Sequence, residues 1–337
     1  MGTAVRRSTS FLLSVAAVLL VVPRYDGAER LPTIRDRPMV TASPYVPAGG
    51  WPDRIGALAP VGGLTLSSSD PAFGGFSALA LHDGRAHLLS DGGNLVTLAV
   101  RGGTVREPRG HVLRQGPGVG WDRRDRDSES LTLDPRTGRA WVGYETHNQI
   151  WRYAPGYGHA ERHSAPAAMR RWEPNLGAES LVRLRTGAFL TFAERKPNRR
   201  TRHGLLFTSD PTVPGTKPIR FLFQPPDRYD PSDAAELPNG DLLVLTRRFQ
   251  YPFRFTAKLV RISRAHIRPN AVVSGKTVAT LAPPVLAENA EGLAITQERG
   301  ETMVWIVTDN DAMALRPTYL LKLRWPRSER EKKHRFP

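Results

Sequence analysis

The chain has 337 residues, 48 lysines and arginines against 32 aspartates and glutamates, a formal charge of +16, and no cysteine. The missing thiol excludes disulfides, thiolate zinc sites, a cysteine nucleophile and a lipidated cysteine anchor. The positive charge favours anionic partners such as phosphate esters, nucleic acid, anionic lipid or envelope polymers, or serves solubility alone.

Taken in chain order, Arg6-Arg7 precede the short apolar stretch Phe11 to Val22. A basic segment followed by a short apolar one describes a secretory signal, and a bilayer span needs about 20 apolar residues. Residues 1–28 are therefore expected to be a signal peptide, or a signal anchor if uncleaved. The protein is expected to be exported, periplasmic or extracellular, with membrane attachment only through that segment. Residues 29–54 are polar and proline-rich and read as a linker or wrapping arm. Residues 55–326 form the expected body, and 327–337 a basic tail. The tail is a charge run without a recognised binding module, so no specific nucleic-acid partner is expected.

Within the body one phrase recurs roughly every 50 residues, a period typical of propellers, solenoids and arrays. Its copies are Phe76-Ser77-Ala78-Leu79, Asp127-Ser128-Glu129-Ser130-Leu131, Ala178-Glu179-Ser180-Leu181, Ser232-Asp233-Ala234-Ala235 and Ala290-Glu291-Gly292-Leu293. Each leads into a hairpin, with turns at His82-Asp83-Gly84-Arg85, Asp134-Pro135-Arg136-Thr137-Gly138, Arg185-Thr186-Gly187, Pro238-Asn239-Gly240-Asp241 and Glu298-Arg299-Gly300. Further strands fill the intervals, and about four per period is the content of one propeller blade. The body has room for about six such blades. The expectation is an all-β fold, a β-propeller of six blades of four antiparallel strands. Gly62-Gly63-Leu64-Thr65-Leu66 pairs with Leu320-Leu321-Lys322-Leu323 to close the ring. An open β-sandwich pair is the alternative and leaves the period unexplained.

In a propeller, matching residues of successive blades converge on the axis. Glu129, Glu179, Asp233 and Glu291 thus form part of one ring, with Ser77 replacing the carboxylate in the first copy. A second polar set follows each hairpin: Ser90-Asp91, Tyr144-Glu145-Thr146-His147-Asn148, Ala193-Glu194-Arg195, Thr246-Arg247-Arg248 and Thr308-Asp309-Asn310-Asp311. Converging carboxylates repel and need compensation. Ca²⁺, a hard cation with oxygen ligands, supplies it; so do ion pairs to Arg195, Arg247 and Arg248, which could instead grip a phosphate. A repeated carboxylate can also be a packing device that caps backbone N–H groups. The metal-ligand set is Glu129, Glu179, Asp233 and Glu291, and the substrate-binding set is Asp91, His147, Asn148, Arg195, Arg247 and Asn310. Two regions stand apart. Residues 196–203 are a basic loop, and Phe249 to Phe255 is an aromatic and basic segment that either packs between blades or rims the site.

The segment Gly74-Gly75-Phe76-Ser77-Ala78-Leu79-Ala80-Leu81-His82-Asp83-Gly84, followed by Leu89-Ser90-Asp91-Gly92-Gly93, resembles the opening motif of the phytase-like family, described by esterase-like activity of phytase. Asp127 to Leu131 with Tyr144-Glu145 is similar to its second block, and Ala290 to Leu293 with Thr308-Asp309-Asn310 to its last. Asp91-Gly92-Gly93 departs from the more usual Asp-Arg-Gly. The resemblance implies a β-propeller, usually exported, that hydrolyses phosphoesters or carboxyesters. Hydrolysis would then be metal-assisted, with one of Glu145, Glu194 or Asp309 as general base. No complete Gly-x-Ser-x-Gly elbow supports a serine hydrolase. The expected partner is a small anionic or ester substrate, and the expected state a monomer. Two other readings stay open: a non-catalytic envelope propeller that binds a ligand or protein, and a lactonase-like propeller enzyme.

Overall fold

The computed structural model of the chain describes residues 31–119, 122–170, 172–174, 177–198, 200–251, 254–311, 313 and 316–326. The expected signal segment and basic tail lie outside the described residues. Among the described residues, no helix is long and apolar enough to cross a membrane.

Two strands, β1 (Val40–Tyr45) and β2 (Ala59–Ser68), precede the first blade. That blade is β3 (Phe76–His82), β4 (Arg85–Ser90), β5 (Asn94–Arg101) and β6 (Thr104–Val112). After the short helix α1 (Arg123–Arg126), the second blade is β7 (Ser128–Leu133), β8 (Ala140–Tyr144), β9 (Gln149–Tyr153) and β10 (Ala160–Ser164). The third holds β11 (Ala178–Arg183), β12 (Phe189–Pro197), β13 (Arg202–Phe207) and β14 (Pro218–Gln224). The fourth begins with β15 (Asp230–Glu236), β16 (Leu242–Gln250) and β17 (Arg254–Ile262). The chain then lends β18 (Val272–Ser274) back to the third sheet, parallel to β14, before β19 (Lys276–Leu281) completes the fourth. The fifth combines β20 (Asn289–Glu298), β21 (Glu301–Asp309) and β22 (Thr318–Trp325) with β2 and β1.

The hairpins form where turn chemistry meets alternating apolar strands. At the clearest, the Asp134 carboxylate accepts hydrogen bonds from the Arg136 N–H and the Thr137 hydroxyl, which fixes the turn between β7 and β8. The ring has five blades, not six. The length that suggested a sixth went into the additional edge strands β1 and β18 and into connections between blades. Five apolar clusters lie one at each interface between neighbouring blades. Trp141 and Ile150 of the second, for example, pack with Leu181, Phe189 and Phe207 of the third. Among the described residues the apolar core is divided into five sheet-on-sheet contacts, each excluding water from side chains of both partners.

Closure runs through β2 and β22, with Gly63 opposite Leu321 and Leu64 opposite Leu320. The innermost strands β3, β7, β11, β15 and β20 each touch the next, and β20 touches β3. At that last junction Gly292 has no room for a side chain: a Cβ there would lie 2.6 Å from the backbone nitrogen of Leu79. Asn310 clips the same junction, its amide oxygen accepting the Gly75 N–H at 2.8 Å. Residues 31–36 lie along the first blade, with the Ile34 N–H donating to the Asn94 side chain and the Gly110 N–H to the Asp36 carbonyl.

Candidate functional site

Every innermost strand carries a β-bulge near its start. The pairing register shifts at Ser77 in β3, Glu129 in β7, Glu179 in β11, Ser232 in β15 and Glu291 in β20. A bulge sets two residues against one and re-aims a side chain. The recurring phrase is thus a recurring backbone irregularity. On each second strand, the residue that follows the partner of the pre-bulge residue forms the next set: Asp91, Glu145, Glu194, Arg247 and Asp309. Both sets stand at one end of the ring. Four blades supply acids there, whereas the fourth supplies Ser232 and Arg247.

This register corrects the place of Asp233. It lies one residue beyond the bulge, buried, with its two oxygens accepting the Leu293 N–H at 2.6 Å and the Ala234 N–H at 2.7 Å. It stitches the fourth blade to the fifth and is not a member of either acid cluster described below. The serines do similar work: the Ser77 hydroxyl donates to the Ser128 carbonyl, Ser130 to Ala178 and Ser232 to Ala290.

Among the described residues, two groups of carboxylates come together closely enough to hold a metal ion. Ligand oxygens of Asp127, Glu129 and Glu145 lie within 4.8 Å of one another, and so do those of Glu145, Glu179 and Glu194. Glu145 belongs to both. Crowding shows in proton affinity. Burial, then the charges of Glu145, Asp127 and Asp91, push the Glu129 carboxyl well above its usual range. Glu179 is raised in the same way by burial and by Glu194 and Glu145. Glu145 is pushed up to about 8 by burial, Asp127 and Glu194, against a lowering contribution from the Gly177 N–H that it accepts at 2.9 Å. Asp309 is raised to about 8 by burial, Glu291 and Asp91.

Arg247 is the counterweight. Its guanidinium lies 2.6 Å from Glu291, 3.4 Å from Glu194 and 4.0 Å from Glu179, and donates to the Asn289 amide oxygen at 3.2 Å. Burial opposes the charged guanidinium, yet these acids hold its pKa above the ordinary arginine value. Burial raises Glu291, and Arg247 with the Asn289 amide pulls it back, to about 7.

The structure therefore brings together Asp91, Glu129, Glu145, Glu179, Glu194, Arg247, Glu291 and Asp309. His147 stands at the rim, its Nε2 3.1 Å from Asp125. Asn148 and Asn310 are held by hydrogen bonds within the protein. The Asn148 Nδ2 donates to the Trp172 carbonyl, and Asn310 is engaged with Gly75, Met313 and Arg316. Arg195 lies on β12, with its side chain outside the described residues. Asp127 is the ligand candidate that sequence reasoning left out, although it stands two residues before Glu129 and accepts the Thr146 hydroxyl. Asn289, which donates to Glu291 at 2.7 Å, was also left out.

The donor set suits a hard cation: oxygen ligands only, carboxylates predominating. One further oxygen nearby has no partner, the buried Asn148 Oδ1, beside Gly177 whose N–H Glu145 holds. The opposite end of the ring differs. There a cavity of about 290 Å³ is lined mainly by Leu79, Leu131, Leu181, Ala234 and Leu293, and its ions are paired as Arg183 with Asp134 and Arg185 with Glu236.

A family model described as phytase-like, esterase-like activity of phytase, matches residues 71–312. No curated protein matches the chain. Among solved structures, Myxococcus xanthus glutaminyl cyclase is similar at 12% identity over 75% of this chain and 92% of that one, with a TM-score of 0.44. The β-propeller domain of Myceliophteria thermophila Cps50 (Swd1) is similar at 10% identity over 88% of this chain and 99% of that one, with a TM-score of 0.39. A luciferin-regenerating enzyme is similar at 10% identity over 85% and 95%, with a TM-score of 0.37.

Proposed function

The chain belongs to the phytase-like family, and from that premise we propose that it is an exported propeller hydrolase cleaving small anionic esters, phosphoesters foremost, with calcium at its acidic mouth. The observation that carries this reading is the sharing of Glu145 between two carboxylate triads. Asp127, Glu129, Glu145, Glu179 and Glu194 are the residues that would hold the ions. Bound calcium would offset the charge of an incoming ester and polarise the bond to be broken.

This assignment moves Glu145 and Glu194 from general base to ligand, and leaves the proton work to Asp309. Asp309 stands apart from both triads, and its pKa of about 8 lets it hold or release a proton near neutrality. Ionised, it takes the proton of the attacking water. The ester bond then breaks, and the proton passes to the departing oxygen. Arg247, fixed by Glu291 and Glu194, orients the substrate's anionic group. Export is supported by the basic and apolar pattern of residues 6–22.

Turnover of p-nitrophenyl phosphate and p-nitrophenyl acetate, with calcium and with a chelator, tests the reading. We expect phosphate-ester cleavage that the chelator abolishes, and a higher Tm with calcium. Asp309→Asn is expected to lower kcat by roughly 10²-fold or more. No turnover of either ester and no calcium effect on Tm would sink both claims. Calcium binding without turnover would favour a non-catalytic binding propeller, and preference for lactones over open esters a lactonase.

A further inference from the structure

The hairpin of β16 and β17 is longer than pairing within its blade needs. β15 ends its pairing at Asp230 opposite Arg247, yet β16 and β17 stay paired through Arg248–Thr256, Phe249–Phe255 and Gln250–Arg254. The strands run on beyond the acidic mouth by about three residues, roughly 10 Å at 3.3 Å per residue. Side chains two apart share a face of a strand. Phe249 therefore shares the face of Arg247, whose guanidinium is inside the acid cluster.

Among the described residues at this end of the hairpin, the aromatic side chains face water. Phe249 is 55% exposed and Tyr251 90% exposed, the two large aromatic side chains most open to water among the described residues. Its base, by contrast, is fixed. Phe255 contacts Phe249 with ring centroids 5.1 Å apart, lies 5.5 Å beneath the Arg316 guanidinium, and donates its N–H to the Ala287 carbonyl. Arg316 is in turn anchored to Glu288 at 2.7 Å. Exposed apolar area backed by a packed neighbour is a binding feature whose ordering cost is lowered. The fourth blade, the one that places a cation where the others place acids, also carries this finger.

We propose that Phe249, backed by Phe255 and flanked by Tyr251, is the specificity element of the mouth, and that it receives an aromatic group carried by the anionic substrate. The inference rests on the anion-binding part of the function proposed above. The anion docks at Arg247 and the acid cluster, and the aryl group stacks on Phe249, one strand repeat further up the same face. The substrate class is thereby narrowed to aryl-bearing anions over small polar ones.

Calorimetric titration of the full protein with 1-naphthylphosphonate and with methylphosphonate, both in calcium, tests this without needing turnover. We expect the naphthyl compound to bind about tenfold more tightly, the effect of one aromatic stacking contact. Phe249→Ala should remove most of that preference, and Tyr251→Ala part of it. Val213→Ala, an exposed position away from the mouth, should leave the ratio as it is. Equal affinity for the two compounds, binding of neither, or a preference that survives Phe249→Ala overturns the proposal. So does a flat preference combined with Phe249-dependent sedimentation on phosphatidylglycerol vesicles, which reassigns the finger to a lipid surface. Failure of the p-nitrophenyl assays with the naphthyl preference intact defeats the hydrolase reading alone.

Discussion

Arg247 decides how the acidic mouth survives without a ligand. Its guanidinium reaches Glu291, Glu194 and the Asn289 amide at once, a forked geometry that a lysine ammonium cannot reproduce. Removing it leaves buried carboxylates uncompensated, which costs about 3 kcal/mol for a partner of this kind. Arg247→Met should therefore unfold at lower urea at pH 8 without calcium, and the deficit should shrink at pH 5, where protons replace the guanidinium. Equal deficits at both pH values would count against an electrostatic role. The sequence marked Arg247 as one of several arginines near the repeated acids, with ion pairing as one option. It could not rank them, because Arg248 is its neighbour on the strand, half-buried like Arg247, and only the face of β16 separates the pair-maker from the residue beside it.

At the scale of elements, the five bulges account for both the success and the error of sequence reading. Hairpins were legible because turns such as Asp134 to Gly138 are built from local chemistry, and the closing register of β2 on β22 followed from matching apolar runs. A bulge leaves no such local mark. Ser232 and Asp233 are both polar and adjacent, so the pattern alone placed the wrong one in the ring, and only the pairing of Asp233 with Leu245 shows the offset. The blade number failed for a related reason: length was counted as blades, whereas β18 crosses back to the preceding sheet. Packing of one inner strand on the next also makes a sharp prediction. Gly292→Ala sets a methyl against the Leu79 backbone nitrogen, an overpacking expected to cost about 1–3 kcal/mol. Thermal melts read it directly, and a loss below about 0.5 kcal/mol, the range of neutral surface changes, would show that the junction relaxes.

For the molecule as a whole, the mouth couples stability to pH and metal. Burial and neighbouring acids raise Glu145 and Asp309 to about 8 and Glu291 to about 7, well above the ordinary carboxylate range. Between about pH 4.5 and 8 the folded chain keeps protons that the unfolded chain has released. The contribution of these acids to stability is thus full below that window and is lost as pH rises through it. A bound cation competes with the same protons, so the gain in Tm from calcium should grow between pH 5 and pH 8. A gain that does not vary with pH would remove these acids from the binding site. The seam between β2 and β22 has a consequence of another kind. It joins Leu64 to Leu320, from one end of the propeller body to the other, and contacts so distant in sequence make folding slow. A nascent chain can order its first blades early, but β2 waits for a partner that is synthesised near the end. Asp91 of the first blade and Asp309 of the fifth face each other only when that seam zips, whereas the two triads lie within the second and third blades. A chain with an open seam therefore keeps both triads but not the pairing of Asp91 with Asp309, so calcium binding should be acquired before activity.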